Sequence, residues 1–308
     1  EVGISLYNGF GQAQFQNQGS VLNEGVEFNL NTINVNSKDF SWTSNFNIAR
    51  NYNEVLSIGD LRPDAITGGT NETRVVAGYP IGTIFTVRYH GVDPNDGMPI
   101  FLDATGKTTK VLNAPVDGRL GDRVPIANTL PEFYGGLTNN FRYKNWELNT
   151  VFTYQFGGHI WDNSGKRNMG WITDWNIYSF YVGNYWRKPG DIAKYPRPTI
   201  AGYPQVYEPG NPWLHNSSIQ VYKSDYVRLR ELTLNYHLPQ RLIKRWKLSN
   251  AKLFVSGYNV LLFTEYPIGD PESGRDGEND AARNQSANAN FLNPPLQRSV
   301  NFGINLSF

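Results

Sequence analysis

Apolar and polar residues alternate along seven separate stretches of this chain. The final stretch shows the pattern most clearly: Val300, Phe302, Ile304, Leu306 and Phe308 share one face of an extended strand, and only serine, asparagine and glycine occupy the other. The alternation predicts an all-β protein with seven strands, near residues 22–36, 40–55, 131–143, 146–157, 225–238, 250–262 and 298–308.

The alternation breaks at two places inside predicted strands. The apolar set slips out of phase near Thr32 and Ile33, and it changes face between Leu229 and Leu232. One extra residue in a strand produces such a change of face. We therefore expect a β-bulge between Leu229 and Leu232.

The predicted strands and their connections have the proportions of a transmembrane barrel. Each strand runs for about ten residues or more, which a tilted strand needs to cross a bilayer, whereas strands of soluble proteins average about five or six residues. Short connections (34–39, 144–145 and 239–250) alternate with long ones (about 55–130, 157–224 and 264–297). Outer-membrane barrels combine short periplasmic turns with long extracellular loops, so the long connections are expected outside the cell.

Seven strands cannot form a complete barrel by themselves. Bacterial single-chain barrels have an even number of strands, and an open sheet edge in lipid leaves backbone groups unpaired at a cost of several kcal/mol each. Residues 1–308 are therefore expected to be the C-terminal part of a larger barrel, with residues 1–21 as the tail of a preceding outer loop. The N-terminal part of the same barrel would supply the remaining strands.

Composition removes several classes of function. The chain has a net charge of +1, which gives no electrostatic reason to expect a nucleic-acid partner. It has no cysteine, which excludes disulfides, thiolate catalysis and cysteine-based zinc sites. Only 18% of residues are charged against about 25% in typical proteins, and 14% are aromatic. This balance suits a surface that alternates between lipid and a wet lumen.

Particular segments resemble a known family in order and spacing. They are "NEGVEFNL", "KDFSWTSNFNIARNYNEV", "GYPIGTIFTVRYHGVDPNDGMPIFLD", "PEFYGGLTNNFRYKNWELNTVFTYQFGG", "YWRKPGD", "SDYVRLRELTLNYHLP" and "VSGYNVLLFTEYPIGDPE". Together they are similar to the C-terminal third of the SusC/RagA family of TonB-dependent outer-membrane transporters. The resemblance implies a 22-stranded barrel filled by an N-terminal plug, and the plug would lie outside this sequence.

The resemblance also implies location, partners and activity. Members lie in the bacterial outer membrane in contact with its lipid, and a SusD-like surface lipoprotein caps them. TonB, reached through the N-terminal region, supplies energy for the import of oligosaccharides or oligopeptides. No cofactor is implied.

No residue pattern predicts catalysis, so we expect a protein that is not an enzyme. The four histidines, His90, His159, His215 and His237, lie far apart in sequence and show no triad or metal-ligand spacing. The segment Asp93 to Asp103 fails the EF-hand spacing and is expected to be a turn held by Asx hydrogen bonds.

Two groups of residues in the long connections are candidates for binding. The first group is aromatic and is expected either to stack on cargo or to pack inside the loops or against the lipoprotein. Its members are Trp161, Trp171, Trp175, Tyr181 and Trp186. The second group is acidic and is expected either to hold a hard cation or to form a solvated acidic loop with Arg275. Its members are Asp270, Glu272, Asp276, Glu278 and Asp280.

Three other interpretations fit parts of the sequence. A secreted β-rich carbohydrate-binding or adhesion module would bury its apolar faces between two sheets. A passive porin would share the barrel but have no plug. A polysaccharide-degrading enzyme would need paired carboxylates in a cleft. The basic segment "RLIKRWK" is expected to be a solvated periplasmic turn at the membrane edge.

Overall fold

The computed structural model describes residues 2–3, 13–14, 19–60, 74–113, 119–169, 175–200, 217–272 and 289–308. The strands are β1 (Val2–Gly3), β2 (Ala13–Gln14), β3 (Ser20–Asn36), β4 (Phe40–Ser57), β5 (Thr83–Thr86), β6 (Arg88–Val92), β7 (Pro99–Leu102), β8 (Thr108–Thr109), β9 (Val124–Asn128), β10 (Phe133–Tyr143), β11 (Trp146–Phe156), β12 (His159–Asp162), β13 (Val221–Lys223), β14 (Tyr226–His237), β15 (Asn250–Thr264), β16 (Ala289–Asn290) and β17 (Ser299–Ser307). The helices are α1 (Gly165–Asn168), a 3₁₀ turn (Ser218–Gln220) and α2 (Gln240–Arg245). None of the helices in the described ranges is long and apolar enough to cross a membrane.

Seven long strands form one antiparallel sheet, as the alternation predicts. Their order is β17-β15-β14-β11-β10-β4-β3, so each long strand pairs with the long strands that come before and after it in the chain. Within the described residues β3 and β17 each pair on one side only. The short strands form four smaller sheets, and all except β1 and β2 lie in the long connections.

The strand register lines up apolar side chains across the sheet. One row, with a residue from each of the seven strands, consists of Val35, Trp42, Phe141, Leu148, Leu234, Val255 and Phe302. The next row, toward the short connections, is largely aromatic and consists of Phe40, Tyr143, Trp146, Tyr236, Leu253 and Ile304. Cross-strand pairs of this kind are the unit of sheet stabilisation. The register therefore produces one continuous apolar face.

Several apolar side chains are exposed on one face of this sheet. On the apolar face, Val300, Phe302 and Ile304 are 70%, 84% and 54% exposed. On the polar face, Thr233 and Ser256 at the middle of the sheet are 8% and 4% exposed, whereas Asn301 and Asn305 on β17 are exposed. A soluble sandwich would bury Val300, Phe302 and Ile304 beneath a second sheet, and no second sheet in the described residues covers them.

One row of polar groups on the apolar face is joined by hydrogen bonds. Asn139 accepts hydrogen bonds on Oδ1 from the Ser44 hydroxyl (2.6 Å) and from Trp42 Nε1 (3.0 Å). The Ser44 hydroxyl oxygen accepts in turn from Asn34 Nδ2 (2.7 Å). An unpaired polar group costs several kcal/mol in hydrocarbon. This chain of bonds makes the polar row compatible with an apolar surrounding.

Both breaks in the alternation are bulges. The β3–β4 register shifts between Ile33 and Val35, and the register of β14 shifts against both of its neighbours so that Arg230 is left unpaired in the ladder. The bulge predicted between Leu229 and Leu232 is thereby confirmed. Its effect is to restore Leu232 and Leu234 to the apolar face.

The connections at the two ends of the sheet differ as predicted. At one end, β10 and β11 are joined through Lys144 and Asn145 alone, with Lys144 in the left-handed conformation (φ 53°). Residues 37–39 join β3 to β4, and α2 lies between β14 and β15. At the other end, the long connections fold into small sheets and cores of their own.

Gly135 allows an aromatic side chain to lie across the sheet. It pairs with Tyr154 on β11, and the Tyr154 hydroxyl reaches over it to donate a 2.8 Å hydrogen bond to the Asn47 carbonyl on β4. A Cβ atom at position 135 would lie 2.1 Å from that carbonyl oxygen and 2.7 Å from the tyrosine hydroxyl. Glycine is therefore required by close approach rather than by an unusual φ angle.

We predict that Gly135→Ala destabilises the seven-stranded sheet in the full-length protein by about 1–3 kcal/mol, the usual cost of overpacking. The matched control is Gly136→Ala, whose Cβ would meet its nearest atom at 3.1 Å. Samples of each variant are incubated across a temperature series and run on denaturing gels without boiling. The fraction that stays folded at each temperature measures the stability of both variants. Equal loss of folded protein in the two variants would contradict the packing argument.

Candidate functional site in the long connections

The three long connections meet in a shared hydrophobic core. Ile84 belongs to the first connection, Trp161 to the second and Ala289 to the third, and all three side chains are completely buried against one another. The strand β12 places Trp161 there by pairing with β13 on one side and with β16 on the other. Trp161 is therefore the residue through which the connections hold one another in place.

Two further cores lie beside the first. One contains Val87, Met98, Phe101 and Leu112 from the first long connection. The other contains Met169, Tyr181 and Tyr195 from the second. The long connections thus form a packed body above the sheet.

Tyr181 supports the second long connection from inside. It is 1% exposed, its ring lies 5.3 Å from Tyr185 and 5.1 Å from Tyr195, and its hydroxyl donates a 3.0 Å hydrogen bond to the Pro196 carbonyl. Like Trp161, it has almost no surface with which to touch a ligand. Either residue would act on cargo through the shape of the loops that it stabilises.

Trp175 and Trp186 are partly exposed and each joins two connections. Trp186 donates from Nε1 to the Pro94 carbonyl (3.0 Å), and its ring lies against Gly97, where a Cβ would come within 2.4 Å. The Trp175 ring lies 6.2 Å from that of Phe291 in the third connection. These two residues keep accessible surface that Trp161 and Tyr181 lack. The remaining aromatic candidate, Trp171, lies outside the described residues.

The described members of the acidic group are neutralised by arginines. Asp270 is 2% exposed and lies 2.5 Å from the guanidinium of Arg228, which is equally buried. Glu272 contacts both Arg228 and Arg230, and it accepts a 2.8 Å hydrogen bond from the Tyr226 hydroxyl. The two guanidinium groups occupy the positions where a cation would be expected.

This ionic cluster fixes the third long connection to the first residues of β14. Arg230 is the bulged residue, and Arg228 lies two positions before it. The other members of the acidic group, Asp276, Glu278 and Asp280, lie outside the described residues. In the ranges that the structure describes, three or more histidine, aspartate or glutamate side chains nowhere come together as metal ligands.

The first half of the segment from Asp93 to Asp103 forms the predicted turn, and Pro99–Leu102 form β7. Asp93 Oδ1 accepts from the Asn95 backbone N–H (2.8 Å), and Asp96 Oδ1 accepts from that of Met98 (2.9 Å). Lys110 Nζ lies 2.7 Å from both carboxylates. Hydrogen bonding to Lys110 lowers the pKa of Asp93. The lysine thus takes the place of a calcium ion, and the Asx-turn prediction is confirmed.

A buried carboxylate that the sequence pattern did not single out lies beside Trp161. Asp162 is completely buried, and its Oδ1 accepts from the Ser164 hydroxyl (2.6 Å) and backbone N–H (3.2 Å). The Tyr178 hydroxyl lies 3.1 Å from both carboxylate oxygens. Burial raises the pKa of Asp162 to about 6 and also raises that of Tyr178.

We predict that the stability of the loop body depends on pH through Asp162. Because the folded-state pKa is raised from 3.8 to about 6, the folded loops keep a proton that the unfolded loops have released. The contribution of this proton to the free energy of unfolding is greatest below pH 4. It is lost as pH rises through about 6, and the total loss is about 3 kcal/mol. Hydrogen-exchange protection of residues 159–169, corrected for intrinsic rates, should fall across this window.

The matched control for this prediction lies in the same connection. Asp162→Asn should abolish the pH dependence, since the amide cannot ionise. Asp191→Asn, at a carboxylate that accepts from the backbone N–H groups of Arg187 and Lys188, should leave the dependence in place. Protection that is unchanged between pH 4.5 and 7.5 in the unaltered protein would contradict the prediction.

Comparison with known proteins gives a consistent result, although no family model matches the chain. It is 29% identical over 96% of its length to TonB-dependent receptor P3 of Formosa agariphila, and 30% identical over 88% to TonB-dependent receptor SusC of Bacteroides thetaiotaomicron. It spans 30% and 26% of these relatives' lengths. The structure of the RagAB peptide transporter matches the whole chain with a TM-score of 0.77 at 22% identity, over 31% of that protein.

Proposed function

Because the chain belongs to the SusC/RagA family of TonB-dependent receptors, we propose that it forms part of the wall and outer loops of an energy-dependent importer in a bacterial outer membrane. The rest of the barrel and its plug would come from the portion of the receptor that this chain does not span. TonB would supply energy through that portion. The activity therefore belongs to the complete receptor.

The observation that carries this proposal is the exposed apolar face of the seven-stranded sheet. A face with Phe302 at 84% exposure is stable when lipid covers it. The polar face then lines the lumen, where Thr233, Asn149 and Asn140 form part of one cross-strand row. Lipid outside and a polar lumen inside are what a transport channel needs.

The alternating connections give the orientation. We place the long connections outside the cell, where the packed body around Trp161 would face both cargo and a SusD-like surface lipoprotein. The short connections, with α2, would lie in the periplasm. Arg228 and Arg230 would hold the third outer connection to the wall through Asp270 and Glu272.

We propose oligosaccharides or oligopeptides as the cargo class. The RagAB structures are described as those of a peptide transporter and importer. Aromatic rings suit either cargo, because they stack on sugar rings as well as on apolar side chains. Among the described candidates, Trp175 and Trp186 are the partly exposed ones. Trp171 stays a candidate from sequence, and Asp276, Glu278 and Asp280 stay candidates for a cation.

Uptake by the complete receptor tests the proposal. Cells that carry the receptor and its lipoprotein should accumulate labelled oligosaccharides or oligopeptides, and deletion of TonB should abolish the accumulation. Accumulation that persists without TonB would indicate a passive porin and contradict the proposal. So would a receptor that binds and imports neither class of cargo.

Tryptophan variants test the outer loops within the same assay. Trp186→Ala, Trp175→Ala and Trp171→Ala should each weaken cargo binding by roughly tenfold or more if they contact cargo, as anchor residues do. Trp246→Ala, at the opposite end of the sheet, is the matched control. Unchanged affinity in all three outer variants, with normal assembly, would remove them from the binding site.

A further inference from the structure

The helix α2 in the third short connection has two chemically different sides. At about 100° per residue, Leu242, Ile243 and Trp246 fall within one sector, and Arg241 and Arg245 fall in the opposite one. Lys244 lies between Gln240 and Arg241 on the polar side. The helix is therefore amphipathic, although it has only six residues.

Only part of the apolar sector is buried against the protein. Ile243 is 4% exposed, but Leu242 and Trp246 are 37% and 54% exposed. The connection is pinned at both ends, since the Leu238 N–H donates to the Ala251 carbonyl and the Ser249 N–H to the Ser307 carbonyl. A fixed helix thus presents an indole and a leucine side chain outward.

The polar side carries uncompensated positive charge. Arg241, Lys244, Arg245 and Lys247 are all exposed, and none of them lies within ion-pair distance of a carboxylate in the described ranges. The other two short connections each add an exposed lysine, Lys38 and Lys144. Asp39 is the only acidic residue in the three short connections. We call the six basic residues of these connections the basic rim.

The basic rim lies at the aromatic end of the apolar face. The row that contains Tyr143, Trp146 and Tyr236 is the one next to the short connections, and the Trp146 and Tyr236 rings lie 4.6 Å apart. Aromatic rows of this kind mark the membrane interface in barrels. The rim would therefore lie at the depth of the lipid headgroups.

We propose that α2 and the basic rim form an interfacial anchor that binds anionic phospholipid headgroups on the short-connection side of the membrane. Leu242 and Trp246 enter the acyl boundary, and the arginine and lysine side chains contact headgroup phosphates, as in interfacial helices. Lipid is favoured over a protein partner because α2 lies at the aromatic end of the apolar face, which lipid would cover. This inference rests on the proposed function, which supplies the membrane and the orientation.

The test compares two four-residue variants of the full-length receptor in detergent, titrated with phosphatidylglycerol or phosphatidylcholine and followed by native mass spectrometry. The rim variant carries Arg241→Gln, Lys244→Gln, Arg245→Gln and Lys247→Gln. The matched control carries Lys107→Gln, Arg119→Gln, Arg187→Gln and Lys188→Gln, which remove the same charge from exposed positions in the long connections.

The rim variant should bind phosphatidylglycerol at least about tenfold more weakly, since each basic residue near a surface contributes about fivefold. Its affinity for phosphatidylcholine and the control's affinity for both lipids should be unchanged. Trp246→Ala should weaken binding of both lipids alike, because it removes apolar contact and not charge.

Three results would overturn the proposal: unchanged phosphatidylglycerol affinity in the rim variant, equal loss in the control, or loss of binding to a periplasmic protein while lipid affinity stays the same.

Cargo uptake separates this proposal from the function that it rests on. Normal uptake with unchanged lipid affinity in the rim variant would contradict the anchor alone. Absent uptake in an unaltered receptor that still binds phosphatidylglycerol through the rim would contradict the importer alone.

Discussion

The register of the seven-stranded sheet determines which solvent each side chain meets. Because side chains alternate along a strand, one pairing places Leu234, Val255 and Phe302 in one exposed row and buries Thr233 and Ser256 on the polar face. A shift by one residue would exchange the faces of a whole strand. The two bulges matter for this reason, since each absorbs one residue and keeps the apolar face continuous. A sheet of this kind is stable with lipid on one side and polar contacts on the other.

The long connections depend on that wall and also on their own interior. Trp161 brings residues of all three connections into one core, and the pairing of Arg228 with Asp270 attaches the third connection to β14. Removing one partner of such a buried pair leaves an uncompensated charge, which commonly costs about 3–5 kcal/mol. The aromatic residues that look most like ligand contacts in the sequence thus include two whose role is to hold the loops together. The aromatic surface that cargo can reach belongs to their less buried neighbours.

Local pattern was enough to predict the wall. The period of two, the strand lengths and the phase change near Arg230 are properties of short segments, so the seven strands and a bulge followed from the sequence. The loop contacts join positions far apart in the chain and could not be read in the same way. The neutralisation of Asp270 and Glu272 by Arg228 and Arg230 is an example, although two arginines in an otherwise nearly uncharged strand were a usable signal. Asp162 gave no signal, because its burial depends on β13, β16 and Tyr178 together.

The claim that lipid covers the apolar face can be measured directly on β17. Spin labels placed one at a time at residues 299–307 of the full-length receptor, reconstituted in a bilayer, report collisions with oxygen, which concentrates in lipid, and with a water-soluble nickel chelate. Positions 300, 302, 304 and 306 should favour oxygen, and positions 301, 303 and 305 should favour the chelate or be shielded from both. A profile without a period of two, or one with the faces reversed, would contradict the account.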